Sequence, residues 1–306
     1  MSIALASNNP GGLGWFAGHE ARLFWRDLIS MWTAGRPRRA MAGGVVLLLL
    51  VIGFHALAIW LLRPVAEGGF ALDKSGLLAI SGALAMLVSL MFSQSMESVT
   101  RAYYARQDLD LILSSPVPAR RLFIVRSLVL TAQTILLSLL ISGPVIHALV
   151  WLDGTHWLAC YPLIIALGAL ATAASFGLTL ILFRLAGPRK TRAIGQILSA
   201  VVGAGFVIAL QGFAIILGKG YSRFALFLSD DSVAAMPALD RAVWLPARAA
   251  IGDPVALALM VIFGAAALAF AIKASSKRFA DNVLLTSGLE KASKSQRQFT
   301  GFKVLS

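Results

Sequence analysis

The sequence predicts an all-α, polytopic membrane protein, and three observations carry that prediction. Apolar residues make up 58% of the 306-residue chain and charged residues only 13%, with a mean hydropathy of +0.80; a soluble domain has about a quarter of its residues charged. The apolar residues gather into six stretches near or above the ~20 residues a helix needs to cross a ~30 Å hydrocarbon core with its backbone hydrogen bonds satisfied internally. Lys and Arg then concentrate in alternate connections, so the stretches run up and down with a consistent sidedness. No β-barrel alternation is visible.

Within residues 1–40, His19 to Trp32 sets Arg22, Arg26 and Ser30 on one helical face and Phe24, Leu28, Met31 and Trp32 on another. That is the pattern of an amphipathic helix lying in the inner interface, either a simple anchor or a lateral gate element. Gly35 to Arg39 breaks it before the chain enters the membrane. The first apolar run follows five arginines and is about twice as long as the ~7–15-residue core of a signal peptide, so it is expected to remain uncleaved.

The spans of the transmembrane domain (41–274) are expected near Met41 to Leu62, Ser75 to Met96, Leu122 to Trp151, Trp157 to Leu185, Ile194 to Leu217 and Pro254 to Ala274. The third is longer than a bilayer needs and holds Gly143-Pro144, which predicts a kink or a helix running past the surface. Twenty-one of the 27 Lys and Arg residues fall on one side of this arrangement, while the acidic residues divide evenly. Both termini, including the tail 275–306, are therefore expected to be cytoplasmic. A sequence pI of about 10.7 would suit a nucleic-acid binder, but here the basic residues flank spans, where they meet anionic lipid headgroups.

Small residues recur at four-residue spacing along the spans: Ser81, Ala85, Ser89 and Ser93; Ala169, Ala173 and Gly177; Gly195, Ser199 and Gly203. Such stripes let helices approach closely in lipid, where apolar area drives little association, and they read first as packing faces. The strip Ser89, Ser93, Glu97 and the strip Thr134, Ser138, Ser142 are candidate pathway linings, although hydroxyls in a span can also satisfy a carbonyl one turn back. The outer connection, 218–253, is expected to contain a short surface helix, with Trp244 at the interface and Gly252-Asp253-Pro254 starting the last span. The single cysteine, Cys160, excludes an intrachain disulfide and a thiolate metal cluster and reads as a packing residue.

Chemistry of its own is hard to find in this chain. Coupled carriers keep Asp, Glu, Lys or Arg at membrane depth at a cost of several kcal/mol, and none lies there; His55 and His147 are the ionisable residues well inside spans. Read singly, each is a hydrogen-bonded core histidine before it is a proton relay. There is no His-Glu-x-x-His, no intramembrane aspartate pair and no phosphate-cradling Gly-x4-Gly-Lys-Ser/Thr loop. No catalytic, cofactor or metal site is assigned.

What remains is the inner loop, 97–121. Glu97 through Leu113 can continue the second helix beyond the membrane, Ser115-Pro116 offers an N-cap followed by proline at the first helical position, and Pro118, Arg120 and Arg121 lead back to the third span. From Tyr103 through Asp108, Asp110, Ser115, Pro116 and Pro118 to Phe123, the loop resembles that of bacterial ABC-2-type exporter permeases. The resemblance implies a membrane subunit of the bacterial inner membrane that is not itself an enzyme. In that family the loop is a coupling helix docked on a separate ATP-binding cassette subunit, which holds the ATP and Mg, and an amphipathic elbow precedes the first span. Carried onto this chain, Asp108 and Asp110 would pair with basic groove residues, Leu109, Ile112 and Leu113 would bury against the groove, and Leu111, Ser115, Pro116, Pro118, Arg120 and Arg121 would complete the contact. Many relatives repeat a second six-span half, so a chain of this length implies a homodimer or the first half of a longer permease. The alternatives are a non-transporting membrane scaffold or assembly factor, and a secondary carrier; an ordinary solvated loop is the plain alternative for residues 97–121.

Overall fold

A computed structural model describes residues 18, 22, 26, 37–67, 73–104, 119–217, 233–234, 236–239 and 241–276. Every regular element among them is helical. We number them α1 (Pro37–Glu67), α2 (Lys74–Tyr104), α3 (Ala119–Asp153), α4 (Cys160–Leu217), α5 (Leu245–Ala250) and α6 (Pro254–Ser276). A 3-10 turn, Thr155–Ala159, leads into α4, and another, Ala242–Trp244, leads into α5.

The starts of these helices follow from local chemistry. Pro37 opens α1, where its missing N–H is lost at no cost to the helix. Asp73 caps α2: its Oδ1 accepts from the Ser75 hydroxyl at 2.6 Å and from the Gly76 amide at 3.0 Å. The same two donors, the hydroxyl first, hold the Asp73 carboxyl below its ordinary value. At α6, Gly252 takes a left-handed φ of 92°, and Asp253 Oδ1 accepts from Val255 and Ala256 at 3.0 and 3.1 Å, with Pro254 between. The elbow falls mostly outside the described residues; Gly18, Arg22 and Arg26, four apart, are helical and exposed.

Five helical segments are long and apolar enough to cross a membrane: Ala42–Glu67, Lys74–Thr100, Phe123–Asp153, Thr155–Leu182 and Pro254–Ser276. Helix α3 carries Pro144 inside it and continues for 35 residues, about 52 Å at the α-helical rise, so it runs past a ~30 Å core.

Helix α4 departs from the expected pair of spans joined by a loop, because its helical backbone continues for 58 residues. Straight, Thr179 and Gly195 would lie about 24 Å apart. Yet Thr179 Oγ1 lies 3.7 Å from Met96 Sδ, and a Cβ on Gly195 would lie 3.3 Å from Met96 Cε and 2.7 Å from Thr100 Cγ2. Helix α4 therefore doubles back between these residues, an interval that contains Gly187-Pro188 and Arg189, Lys190 and Arg192. Its second arm includes a shorter apolar segment, Ala193–Gly205.

Helix α2 touches both arms. Along the first arm it runs parallel, with Met91 in the cluster of Leu163 and Ile164, and Val99 in that of Phe176. Along the second it runs antiparallel: Gly195 meets Thr100, while Gly203 meets Ser93. Helix α6 closes on the first arm so tightly that a Cβ on Gly264 would lie 2.7 Å from the Ala166 carbonyl oxygen. Helix α5 and its 3-10 turn cap one end, where Trp244, Ala247, Leu77 and Leu78 form a small cluster. Trp244 was expected at the lipid interface, but it is 2% exposed and its indole N–H reaches the Ala238 carbonyl at 3.1 Å. A backbone acceptor inside the cap satisfies the indole as headgroups would have.

Candidate functional site

Asp108, Leu109, Asp110, Leu111, Ile112, Leu113, Ser115, Pro116 and Pro118 lie outside the described residues, and Arg120 and Arg121 are described only as backbone in the first turn of α3. What is described is the ground on which the loop stands. Helix α2 continues beyond its apolar segment to Tyr104, and α3 begins at Ala119. Beneath these two roots, Val99 and Phe123 pack with Ala173, Phe176, Ala271 and Ile272 in one buried cluster. The Phe123 and Phe176 rings stand 5.9 Å apart, tilted by 58°. One apolar knot thus joins both ends of the loop to α4 and α6.

The two hydroxyl strips behave differently. On α3, Thr134 donates to the Leu130 carbonyl, Ser138 to Thr134 and Ser142 to Ser138, at 3.1, 2.8 and 2.7 Å. Each donor is consumed by its own helix, one turn back. On α2, Ser89 does the same toward Ala85, but Ser93 reaches across 2.8 Å to the Ser199 carbonyl on the second arm of α4. Glu97 is exposed. Ser93 therefore ties two helices together, and the α3 strip satisfies itself. Ser95 and Ser275 hydroxyls are buried with no hydrogen-bond partner among the described residues.

Three residues come together near the capped end: the two histidines read singly from the sequence and a tyrosine that sequence reasoning did not single out. His55 of α1 places Nε2 at 2.9 Å from His147 Nδ1 on α3, and the Tyr161 hydroxyl of α4 lies 2.6 Å from His147 Nε2. His55 Nδ1 lies 2.7 Å from the Val51 carbonyl, and the imidazoles stack with centroids 5.2 Å apart. The protons follow from the network. A carbonyl only accepts, so His55 Nδ1 carries a proton; His55 Nε2 then accepts from His147 Nδ1–H, and His147 Nε2 accepts from the Tyr161 hydroxyl. Every polar atom of the neutral chain is matched, donor to acceptor. The one signal in the sequence was that these histidines are the ionisable side chains well inside spans; their pairing depends on helix rotation, which residue spacing does not encode.

The turn after α3 is also braced. Gly154 has a left-handed φ of 126°, Trp157 donates its indole N–H to Asp153 Oδ2 at 2.8 Å, and His156 Nε2 lies 3.2 Å from the same oxygen. Cys160 is buried and directs Sγ to the Ala250 carbonyl at 3.4 Å, the contact of a packing residue. Among the described residues no group of three or more His, Cys, Asp or Glu is placed to hold a metal ion.

Compared with protein-family models, with curated proteins and with solved structures, the chain matches none.

Proposed function

We propose that this chain is the membrane-spanning permease subunit of an ABC exporter in a bacterial inner membrane, driven by ATP hydrolysed in a separate cassette subunit docked on the loop between α2 and α3. In this reading the second arm of α4, whose apolar segment Ala193–Gly205 is shorter than the five long ones, is a sixth crossing, and both termini lie on the side of that loop. The observation that carries the proposal is the knot of Val99, Phe123, Phe176, Ala271 and Ile272 at the loop's two roots. A cassette that pulls on residues 105–118 moves the ends of α2 and α3. Because interiors are close-packed and bistable rather than continuously compliant, that displacement passes to α4 and α6 through the packed rings.

The test is purification of the chain from its native membranes in mild detergent, with identification and ATPase assay of whatever accompanies it. A stoichiometric cassette ATPase, lost when Asp108 and Asp110 are replaced by lysine in a chain that still folds, is the expected result. A clean chain without ATPase activity moves the scaffold reading to first place. The secondary carrier gains from the joining of His55 to His147, and uptake driven by an ion gradient in ATP-free vesicles would decide for it.

A further inference from the structure

We propose that His55, His147 and Tyr161 form a binding site for a single proton, entered at Tyr161 and closed at Val51. The inference goes beyond the permease reading and does not depend on it. Between Ala42 and Leu62 of α1, between Ser127 and Leu152 of α3, and between Cys160 and Phe183 of α4, the sequence contains no Asp, Glu, Lys or Arg. Any charge acquired at this depth therefore has these imidazoles as its basic acceptors.

The chain of hydrogen bonds specifies how the proton is taken up. A proton from the aqueous side binds the Tyr161 oxygen as that hydroxyl's own proton passes to His147 Nε2, across 2.6 Å. His147 releases its Nδ1 proton to His55 Nε2, across 2.9 Å. Three N–H or O–H bonds form and two break. The net result is one proton gained, with His55 an imidazolium, His147 a neutral ring protonated at Nε2 rather than Nδ1, and the Tyr161 O–H turned outward as a free donor. Uptake thus reverses the polarity of the whole chain. The far end is closed, because His55 Nδ1–H faces the Val51 carbonyl, which is no base. The site holds a proton and does not conduct one.

Two protons do not fit. With both rings charged, an N–H on His55 would point at an N–H on His147, with no lone pair between them, and the bond joining α1 to α3 would be lost. The surrounding charges are already engaged or distant along their helices. Arg63 and Glu67 of α1 pair with each other at 3.0 Å, Asp153 of α3 holds Trp157 and His156, Lys74 of α2 donates to the Met236 carbonyl at 3.2 Å and Asp73 caps its own helix, Cys160 at the start of α4 faces Ala250, and Arg126 and Arg184 lie toward the opposite ends of α3 and α4.

The experiment is solid-state NMR of the full chain in liposomes, with histidine ring nitrogens labelled with 15N, between pH 8 and pH 5. His55 and His147 signals are assigned from the variants His55→Asn and His147→Asn. At pH 8 both rings are expected as the Nδ1–H tautomer, the minority form of a free imidazole. On acidification the pair should gain one proton, while His147 moves to Nε2–H. Two rings that titrate independently, or two Nε2–H tautomers at pH 8, would overturn the proposal. Should the asparagine variants fail to fold, Tyr161→Phe keeps the ring and removes the donor: the His147 Nε2 signal should move to that of an acceptor nitrogen without a hydrogen bond, while His147 Nδ1–H, still held by His55 Nε2, and His156 stay unchanged; an unmoved Nε2 signal, or a His147 that changes tautomer at pH 8, would overturn the proposal equally.

Discussion

Helices α1 and α2 each span 31 residues, and both are apolar enough to cross a membrane, yet the structure treats them oppositely. Helix α1 holds the unbroken run Val45 to Ile52, every residue of which is exposed, and Ala58 is its one buried residue among those with described side chains. Helix α2 is interrupted by serines, glycines and a glutamine, and buries Leu77, Leu78, Met91, Ser95, Met96, Val99 and Thr100. In water the more hydrophobic helix would be the core. In lipid the tails satisfy Leu and Val as well as another helix does, so packing is chosen by small side chains and hydroxyls. The helix that looks more like a membrane span is therefore the one at the periphery, with His55 as its polar tie to the rest.

That contrast can be broken at its strong end first. Phe176, 1% exposed, sits at the crossing of α2, α3, α4 and α6, and its replacement by alanine removes a ring that its neighbours cannot refill. The expected loss is about 3–5 kcal/mol, read by steric-trapping unfolding in bicelles. Leu50→Ala on the open face of α1 should stay within about 0.5 kcal/mol in the same assay. If the two losses were comparable, α1 would be packed by something other than lipid. Next is Gly264→Ala. The added methyl would lie 2.7 Å from the Ala166 carbonyl oxygen and 3.1 Å from its Cα, both backbone atoms that cannot rotate aside, so α4 and α6 must separate at a cost of about 1–3 kcal/mol.

The same contrast explains what the sequence disclosed. Spans are legible because lipid imposes a composition on every crossing residue, whichever way it faces; the start of α6 at Pro254 was legible because Gly252, Asp253 and Pro254 each have one local conformational use. The doubling back of α4 was half legible: the basic connection separated two apolar stretches, but a helical backbone running through it was not expected, since Gly187-Pro188 argues for a break. The meeting of His55, His147 and Tyr161 was not legible, because it is set by the rotation of three helices about their axes. The joining of Ser93 to Ser199 was hidden for the same reason, while the α3 hydroxyls, bonded within one turn, follow from local geometry alone.

Ser93→Ala sharpens that distinction at a smaller scale. Its hydroxyl links α2 to the second arm of α4, and hydrogen bonds between helices in lipid average about 0.6 kcal/mol. Ser138→Ala, which removes a bond confined to α3, should cost less in the same unfolding assay. An equal loss would mean that Ser138 also serves a neighbouring helix.

The smallest expected effect lies at the cap, where the protein meets water. The Asp253 carboxyl is held below its ordinary value first by the Ala256 amide, then by Arg248, whose Nε lies 2.9 Å from Oδ2. A depressed folded value means that the unfolded chain takes up the proton first, so the carboxylate's contribution is full above about pH 4, the unfolded value, and is lost as pH falls through the lower folded one. Because the group is solvent-accessible, screening keeps the effect modest. The check is hydrogen exchange of the Val255 and Ala256 amides, with base-catalysed intrinsic rates factored out: protection should decline between about pH 4 and the folded value, and Asp253→Asn should flatten that decline. The core amides around Phe176 should show no matching step, since Asp253 caps the start of α6 and the Phe176 cluster packs against its far end, at Ala271 and Ile272. If they fell together with Val255 and Ala256, the cap and the α2–α4 core would be opening as one unit, and the division between a lipid-held periphery and a packed centre would have to be redrawn.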